Sequence, residues 1–329
     1  MSDIAISQPQ AQSVEFERPS RVRLVFRYLR RNKSLAIGLL MLLFITGFTI
    51  WGMVTLDLDQ AYPLAVKSKQ PPSSEFPFGT DFFGRNLLPA LVVGTWQTAL
   101  IGVIAGAIAT FIGVFLGFAS AYFGGILDGG IKGISQILIP IPVFLIQVVI
   151  AGSLDKRDVT IYTMAFIVVL LAWMGPTLVI RSQVLTMKER EYVSVAKLSG
   201  VSDLGIIFVE ILPNLLPFIV AVFVGAVFSA VFATFYLAVL GLGPLREPLL
   251  GNIIWFAQKQ GAFFNGWWWW PVFPVIAQCP VLPAEHPVAF RVAVAAPWLD
   301  LRHGVGDAVD IGRRRKAVVD AVALLDHGG

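Results

Sequence analysis

Charge is what this chain has least of. Only 14 % of its 329 residues are charged while 56 % are hydrophobic, against roughly 25 % charged in an ordinary soluble domain. Water is therefore excluded as its main solvent. Cysteine occurs once, at Cys279, which excludes an internal disulfide framework and a multi-cysteine metal cluster. The only histidines, His286, His303 and His327, all fall in the C-terminal tail. None has a cysteine or carboxylate neighbour at metal-ligand spacing, so no metal site is assigned. A Gly-x-x-x-x-Gly-Lys-Ser/Thr phosphate loop is absent, so the chain is expected to hold no nucleotide of its own. The stretch from Met1 to Pro19 has no apolar h-region, so it does not read as a cleavable signal. The net charge of +4 is too small and scattered to suggest nucleic acid.

What is present is apolar runs of about twenty residues, the length that crosses a hydrocarbon core of about 30 Å. Residues 1–33 form a polar segment ending in a basic collar of Arg21, Arg23, Arg27, Arg30, Arg31 and Lys33. Such a collar marks the cytoplasmic end of the anchor that follows at 34–54. Residues 55–94, with Pro71-Pro72 and both charge signs, read as an external loop. A core domain at 95–277 follows. Its first span, Trp96 to Tyr122, repeats Gly102, Gly106, Gly113 and Gly117, a spacing that lets helix backbones approach closely. A short inner loop, Phe123 to Gly130, leads to a span over Ile131 to Leu154. Pro140 and Pro142 remove two backbone donors there, which predicts a kink or an unwound turn and makes both prolines candidates for the solute path. A bend required only by packing is the competing reading. Val159 to Ile180 reads as one further span. Arg181, Lys188, Arg190 and Lys197 come after it, so the next loop is expected inside. Pro213 to Leu242 is a fifth span, with Pro213 and Pro217 in its first turn. An outer loop over Gly243 to Gly266 ends at Trp267, Trp268, Trp269 and Trp270, placed at a bilayer interface. The expected fold is an all-α integral membrane protein of about six helices, with its last helix incomplete.

The loop at 189–214 separates into two short helices. Gly200 supplies a sharp helix end, and Ser202 followed by Asp203 makes an N-cap with an acid in the first turn. Leu204, Ile207, Phe208 and Ile211 then share one helical face. That helix either floats at the lipid surface or plugs into another protein.

Here the sequence resembles the cytoplasmic "EAA" loop of binding-protein-dependent ABC importers, with Ala196, Gly200, Leu212 and Pro213 at matching spacing. Ser194 and Glu210 depart from the usual pattern. Further matches are similar to the C-type permease of the dipeptide and oligopeptide importers. They are the outer-loop signature Gly79-Thr80-Asp81-x-x-Gly84-Arg85, then Gly124, Gly125 and Asp128, then Gln183, Val184, Leu185, Tyr192 and Val193, and finally Leu240 to Gly243 with Gly251-Asn252. The resemblance implies the type I ABC importer transmembrane fold. It also implies an ATPase-coupling loop carrying Tyr192, Ala196, Gly200, Ser202, Asp203, Ile207, Phe208, Leu212 and Pro213. The implied partners are a homologous second permease, two ATPase subunits that bind ATP and Mg, and an extracytoplasmic solute-binding protein. The implied location is the inner membrane, multi-pass, with the N-terminus cytoplasmic. Peptides are the solutes the resemblance favours; oligosaccharides, nickel or an ion-coupled mechanism are the alternatives. A membrane-embedded enzyme would need ionisable residues clustered at bilayer depth, and spans one to five have essentially none. The resemblance stops after Ile276. The tail at 278–329 contains no Ser, Thr, Asn, Tyr or Met and reads either as a divergent tail or, preferably, as the product of a shifted frame.

Overall fold

A computed structural model describes residues 30–31, 33–155 and 158–278. Arg21, Arg23 and Arg27 of the collar, Cys279, the three histidines and nearly all of the 278–329 tail lie outside the described residues. Ten helices account for most of the rest, and no strand is formed among the described residues.

The anchor helix α1 (Lys33–Thr55) matches the first apolar run. Between it and the core, residues 57–86 form a compact cap built on a single turn at Leu58–Ala61. The central helix α2 (Leu87–Phe123) starts nine residues before the expected Trp96, so the loop expected over residues 55–94 ends at Asn86. The start signal is Asn86, whose side chain accepts the Leu88 N–H at 3.3 Å, a standard N-cap. At 1.5 Å per residue α2 is about 55 Å long, well beyond a hydrocarbon core of about 30 Å. Its first eight residues, Leu87 to Gly94, are all buried within the protein, against the cap and neighbouring segments. The glycine stripe works as its spacing predicts. A Cβ on Gly106 would sit 2.7 Å from the Val227 backbone nitrogen, and Cβ atoms on Gly113 and Gly117 would run into Pro176 and Thr177.

Helix α3 (Gly125–Leu138) and helix α4 (Val143–Ser153) meet at 79° across Pro140 and Pro142, the break the two prolines predict. The next span was expected unbroken, but it divides into α5 (Ile161–Ala172) and α6 (Met174–Lys188), bent by 43°. Pro176 explains the bend: it has no N–H to give the Ala172 carbonyl. The two short α7 (Glu191–Leu198) and long α8 (Asp203–Val239) helices follow. Here too the expectation is corrected, because the second short helix and the fifth span are one continuous run. Pro213 and Pro217 lie well inside it. A π-helical turn over Ile206–Ile211, in which the Leu212 N–H reaches Ile207 O, precedes the first proline and absorbs the mismatch it creates. Helix α9 (Leu250–Lys259) packs back on α8 and α2, and α10 (Trp269–Gln278) is only 10 residues long.

Among the described residues, three helices are long and apolar enough to cross a membrane, or up to five if each bent pair is one span. The sixth expected span would need α10 to continue into residues outside the described region. Trp269 and Trp270 are 7 % and 1 % exposed, packed against Leu87, Ala90 and Leu91. These two belong to the protein interior, contrary to the bilayer-interface expectation, because the cap encloses them.

Candidate functional site

At one end of the bundle, the tips of α2, α6, α7 and α8 converge on one apolar cluster. Phe118, Ala121 and Tyr122 come from α2, Ile180 and Val184 from α6, Val193 and Ala196 from α7, and Ile206, Ile207, Ile211 and Leu215 from α8. These side chains pin the 191–215 segment to the bundle. Gly200 sits between α7 and α8 at φ +77°, and nothing lies within 4 Å of a Cβ built there. The turn therefore needs a left-handed residue for its own conformation, which glycine adopts without penalty. Ser202 caps α8 by accepting the Gly205 N–H at 3.2 Å.

The expected face of Leu204, Ile207, Phe208 and Ile211 splits. Ile207 and Ile211 are buried, whereas Leu204 and Phe208 are 60 % and 61 % exposed. The π-helical turn also places residues five apart, Ile206 and Ile211, on the same buried side. Val195, Leu198 and Val201 of the same segment are exposed as well, so it leaves five apolar side chains bare. Tyr192 and Pro213 lie at its exposed edge and Leu212 is half-buried.

Polar contacts brace the same end. The Tyr122 hydroxyl donates to Asp203 Oδ1 at 2.6 Å. Lys188 Nζ donates to the Tyr122 carbonyl at 2.8 Å, occupying one of the carbonyls that the end of α2 leaves without an intrahelical partner. Arg181 forms a forked pair with Asp128, at 2.6 and 2.7 Å, and Ser120 also donates to Asp128. This joins α3 to α6 and α2. Sequence reasoning named Asp128 and Arg181 in separate loops and read Tyr122 only as the end of a span. Nothing in one-dimensional spacing pairs residues 53 and 81 positions apart.

Residues of α4, α5, α6 and α8 line a partly open cavity of about 800 Å³. Its wall is apolar apart from Gln147, Ser229 and Tyr236, and Gly175 and Gly225 open into it with nothing within 4 Å of a built Cβ. Gln147 donates to Val168 O at 3.4 Å. Pro140 and Pro142 are exposed and do not line this cavity; the wall begins at Val143, directly after them.

At the other end, the signature residues build the cap. Asp81 Oδ1 accepts the N–H groups of Phe83 and Arg85, both at 2.8 Å. Arg85 Nε lies 3.8 Å from Asp81 Oδ2, and the guanidinium is 5.6 and 5.3 Å from the Phe83 and Phe256 ring centres. Burial pushes the Asp81 carboxyl up to about 6, opposed by those N–H groups and by the Arg85 charge. Burial likewise pushes Arg85 down. Thr80 Oγ1 accepts from Gln70 N–H at 2.8 Å and donates to Lys67 O at 2.7 Å, while the Trp269 indole donates to Thr80 O at 3.3 Å. A Cβ at Gly79 would meet Gln70 O at 2.7 Å, and one at Gly84 would strike Val66 O. The signature thus folds the cap and seats it on α2 and α10.

Comparison with known proteins completes the assignment. Residues 109–282 match the family described as the binding-protein-dependent transport system inner membrane component. The dipeptide transport system permease protein DppC of Bacillus subtilis is 30 % identical over 234 residues, 71 % of this chain and 72 % of that protein. The oligopeptide transport system permease protein OppC of the same organism is 29 % identical over 214 residues, covering 65 % and 69 %. The OppC protein of Mycobacterium bovis is 29 % identical over 239 residues, covering 71 % and 81 %. Permease subunits of this kind are non-catalytic and carry no cofactor; the partner ATPase binds ATP. The chain belongs to the inner-membrane component family of binding-protein-dependent transport systems, and is an inner-membrane, multi-pass permease of a binding-protein-dependent ABC transporter.

Proposed function

We propose that this chain supplies half of a peptide path and receives the motion of two ATPase subunits through its 191–215 segment, with the N-terminus and that segment in the cytoplasm. The observation that carries the proposal is the two-sided burial of the segment. One side is locked to α2 and α6 by Val193, Ala196, Ile206, Ile207 and Ile211, all no more than 8 % exposed. The other leaves Val195, Leu198, Val201, Leu204 and Phe208 bare. Five exposed apolar side chains on one short segment fit a protein partner, and the rigid inner side converts its displacement into helix motion. The apolar cavity is the path's share in this chain, completed by a homologous second permease. Its wall provides no carboxylate for ion coupling. The peptide assignment rests on relatives named as dipeptide and oligopeptide permeases. Solute selection falls to an extracytoplasmic binding protein that docks on the capped end.

The test is Gly200→Val in the complete transporter. A β-branched residue at φ +77° is strained by roughly 1–2 kcal/mol, and the strain falls on the docking turn while the spans are untouched. Normal membrane insertion with loss of ATPase co-purification and of peptide uptake is the expected result. A variant that assembles and transports as the parent does would refute coupling through this turn. Uptake of labelled di- and oligopeptides into a strain lacking its own importers tests the solute class.

A further inference from the structure

Six buried side chains, Val193, Ala196, Ile206, Ile207, Ile211 and Leu215, hold the 191–215 segment to the bundle by apolar packing, which is non-directional. One contact at that junction is directional and short: the Tyr122 hydroxyl donating to Asp203 Oδ1 at 2.6 Å. Asp203 occupies the first turn of α8, directly after the Gly200 turn and the Ser202 cap. Tyr122 stands one residue from the end of α2. Its carbonyl accepts from Lys188 Nζ of α6. Its ring lies 5.5 Å from Lys188 Nζ and 5.8 Å from Lys197 Nζ of α7, within reach of cation–π attraction. One side chain thereby touches the ends of α2, α6, α7 and α8. Tyr122 is 6 % exposed, so it lies behind the bare apolar face and takes no part in it.

We infer that Tyr122 is the positioning residue of the coupling step, passing displacement of the 191–215 segment to α2 through its hydroxyl bond to Asp203. Helix α2 is suited to receive it. Its glycines seat it against α8 and α6, and its far end is buried beneath the cap, so a shift applied at Tyr122 is felt at both ends of the bundle. The inference rests on the coupling role proposed above for the segment.

The experiment uses the full transporter, with its second permease, ATPase subunits and binding protein, in proteoliposomes. Transported peptide per ATP hydrolysed is the readout, and a Leu198→Cys cross-link to the ATPase subunit is recorded in the same preparations. Tyr122→Phe deletes only the hydroxyl and keeps the ring and the carbonyl. It should preserve co-purification yet lower the transport-to-hydrolysis ratio at least about fivefold, the lower end of ordinary coupling between sites. Asp203→Asn retains an oxygen acceptor and should stay within about twofold of the parent, whereas Asp203→Ala should match Tyr122→Phe; doubling the two losses should add little further, because they remove one shared contact. An unchanged ratio in Tyr122→Phe, or Asp203→Asn as defective as Asp203→Ala, overturns the inference. With the cross-link present, such a result leaves the coupling role of the segment standing. With the cross-link absent, both fall.

Discussion

Replacing Phe208 by alanine separates docking from folding. The ring is 61 % exposed in the isolated chain, so the fold holds little of its burial energy. Full burial of a phenylalanine side chain is worth about 1.5–3 kcal/mol, and the exposed share leaves about 1–2 kcal/mol to be gained against a partner. Losing that gain weakens association with the ATPase subunits by about five- to thirtyfold. The control is Ile211→Ala, at a fully buried side chain of the same apolar cluster, where an emptied core site costs about 2–5 kcal/mol of stability. Titrating purified ATPase subunits onto the permease pair in nanodiscs, alongside thermal unfolding of the same samples, reads both effects. Phe208→Ala should shift the affinity and leave the unfolding midpoint in place; Ile211→Ala should lower the midpoint. Parental affinity in a correctly inserted Phe208→Ala protein would refute the reading of the bare face as a docking surface.

Two glycines at helix-interior positions should respond in opposite directions. Gly106→Ala drives a methyl to within 2.7 Å of the Val227 backbone and should destabilise by about 1–3 kcal/mol. Gly225→Ala meets nothing within 4 Å and should stabilise by up to about 1 kcal/mol through helix propensity, both measured as unfolding midpoints in detergent. The cap carries a pH signature. The Asp81 carboxyl is raised from 3.8 to about 6, so between those values the folded chain holds a proton that the unfolded chain has released. Stability from this group is full below about pH 4 and declines as pH rises towards 6. The parent's midpoint should fall relative to that of Asp81→Asn across this interval, with a constant gap above it; a gap that widens in the opposite direction would contradict the buried setting of Asp81.

Much of this was legible in the sequence, because the lipid solvent makes a few signals strong. The α1 anchor, the close-packing glycines of α2, the break at Pro140 and Pro142, and the Gly200-Ser202 punctuation all follow from local chemistry that tertiary contacts reinforce. Other features depended on information that is not local. The start of α2 was hidden because Leu87 to Gly94 look like loop until the cap that covers them is folded. Pro176 was a readable sign of the α5–α6 bend that an apolar run obscured. The π-helical turn before Pro213 brings Ile206 onto the buried side with Ile211, which a regular helical period does not predict. The contacts from Tyr122 to Asp203 and from Arg181 to Asp128 join residues far apart in the chain, and no spacing announces them.

The claim that the 191–215 segment meets an ATPase on the inner side is tested most directly with single cysteines in a Cys279→Ser background. Leu198 and Leu64 are 89 % and 91 % exposed at opposite ends of the bundle, so both sites are reachable and neither substitution disturbs a core. In intact cells, a membrane-impermeant thiol reagent should label Leu64→Cys and spare Leu198→Cys, and a short cross-linker should join Leu198→Cys to an ATPase subunit. Labelling of Leu198→Cys from outside, or a cross-link to the ATPase from Leu64→Cys in its place, would contradict the account.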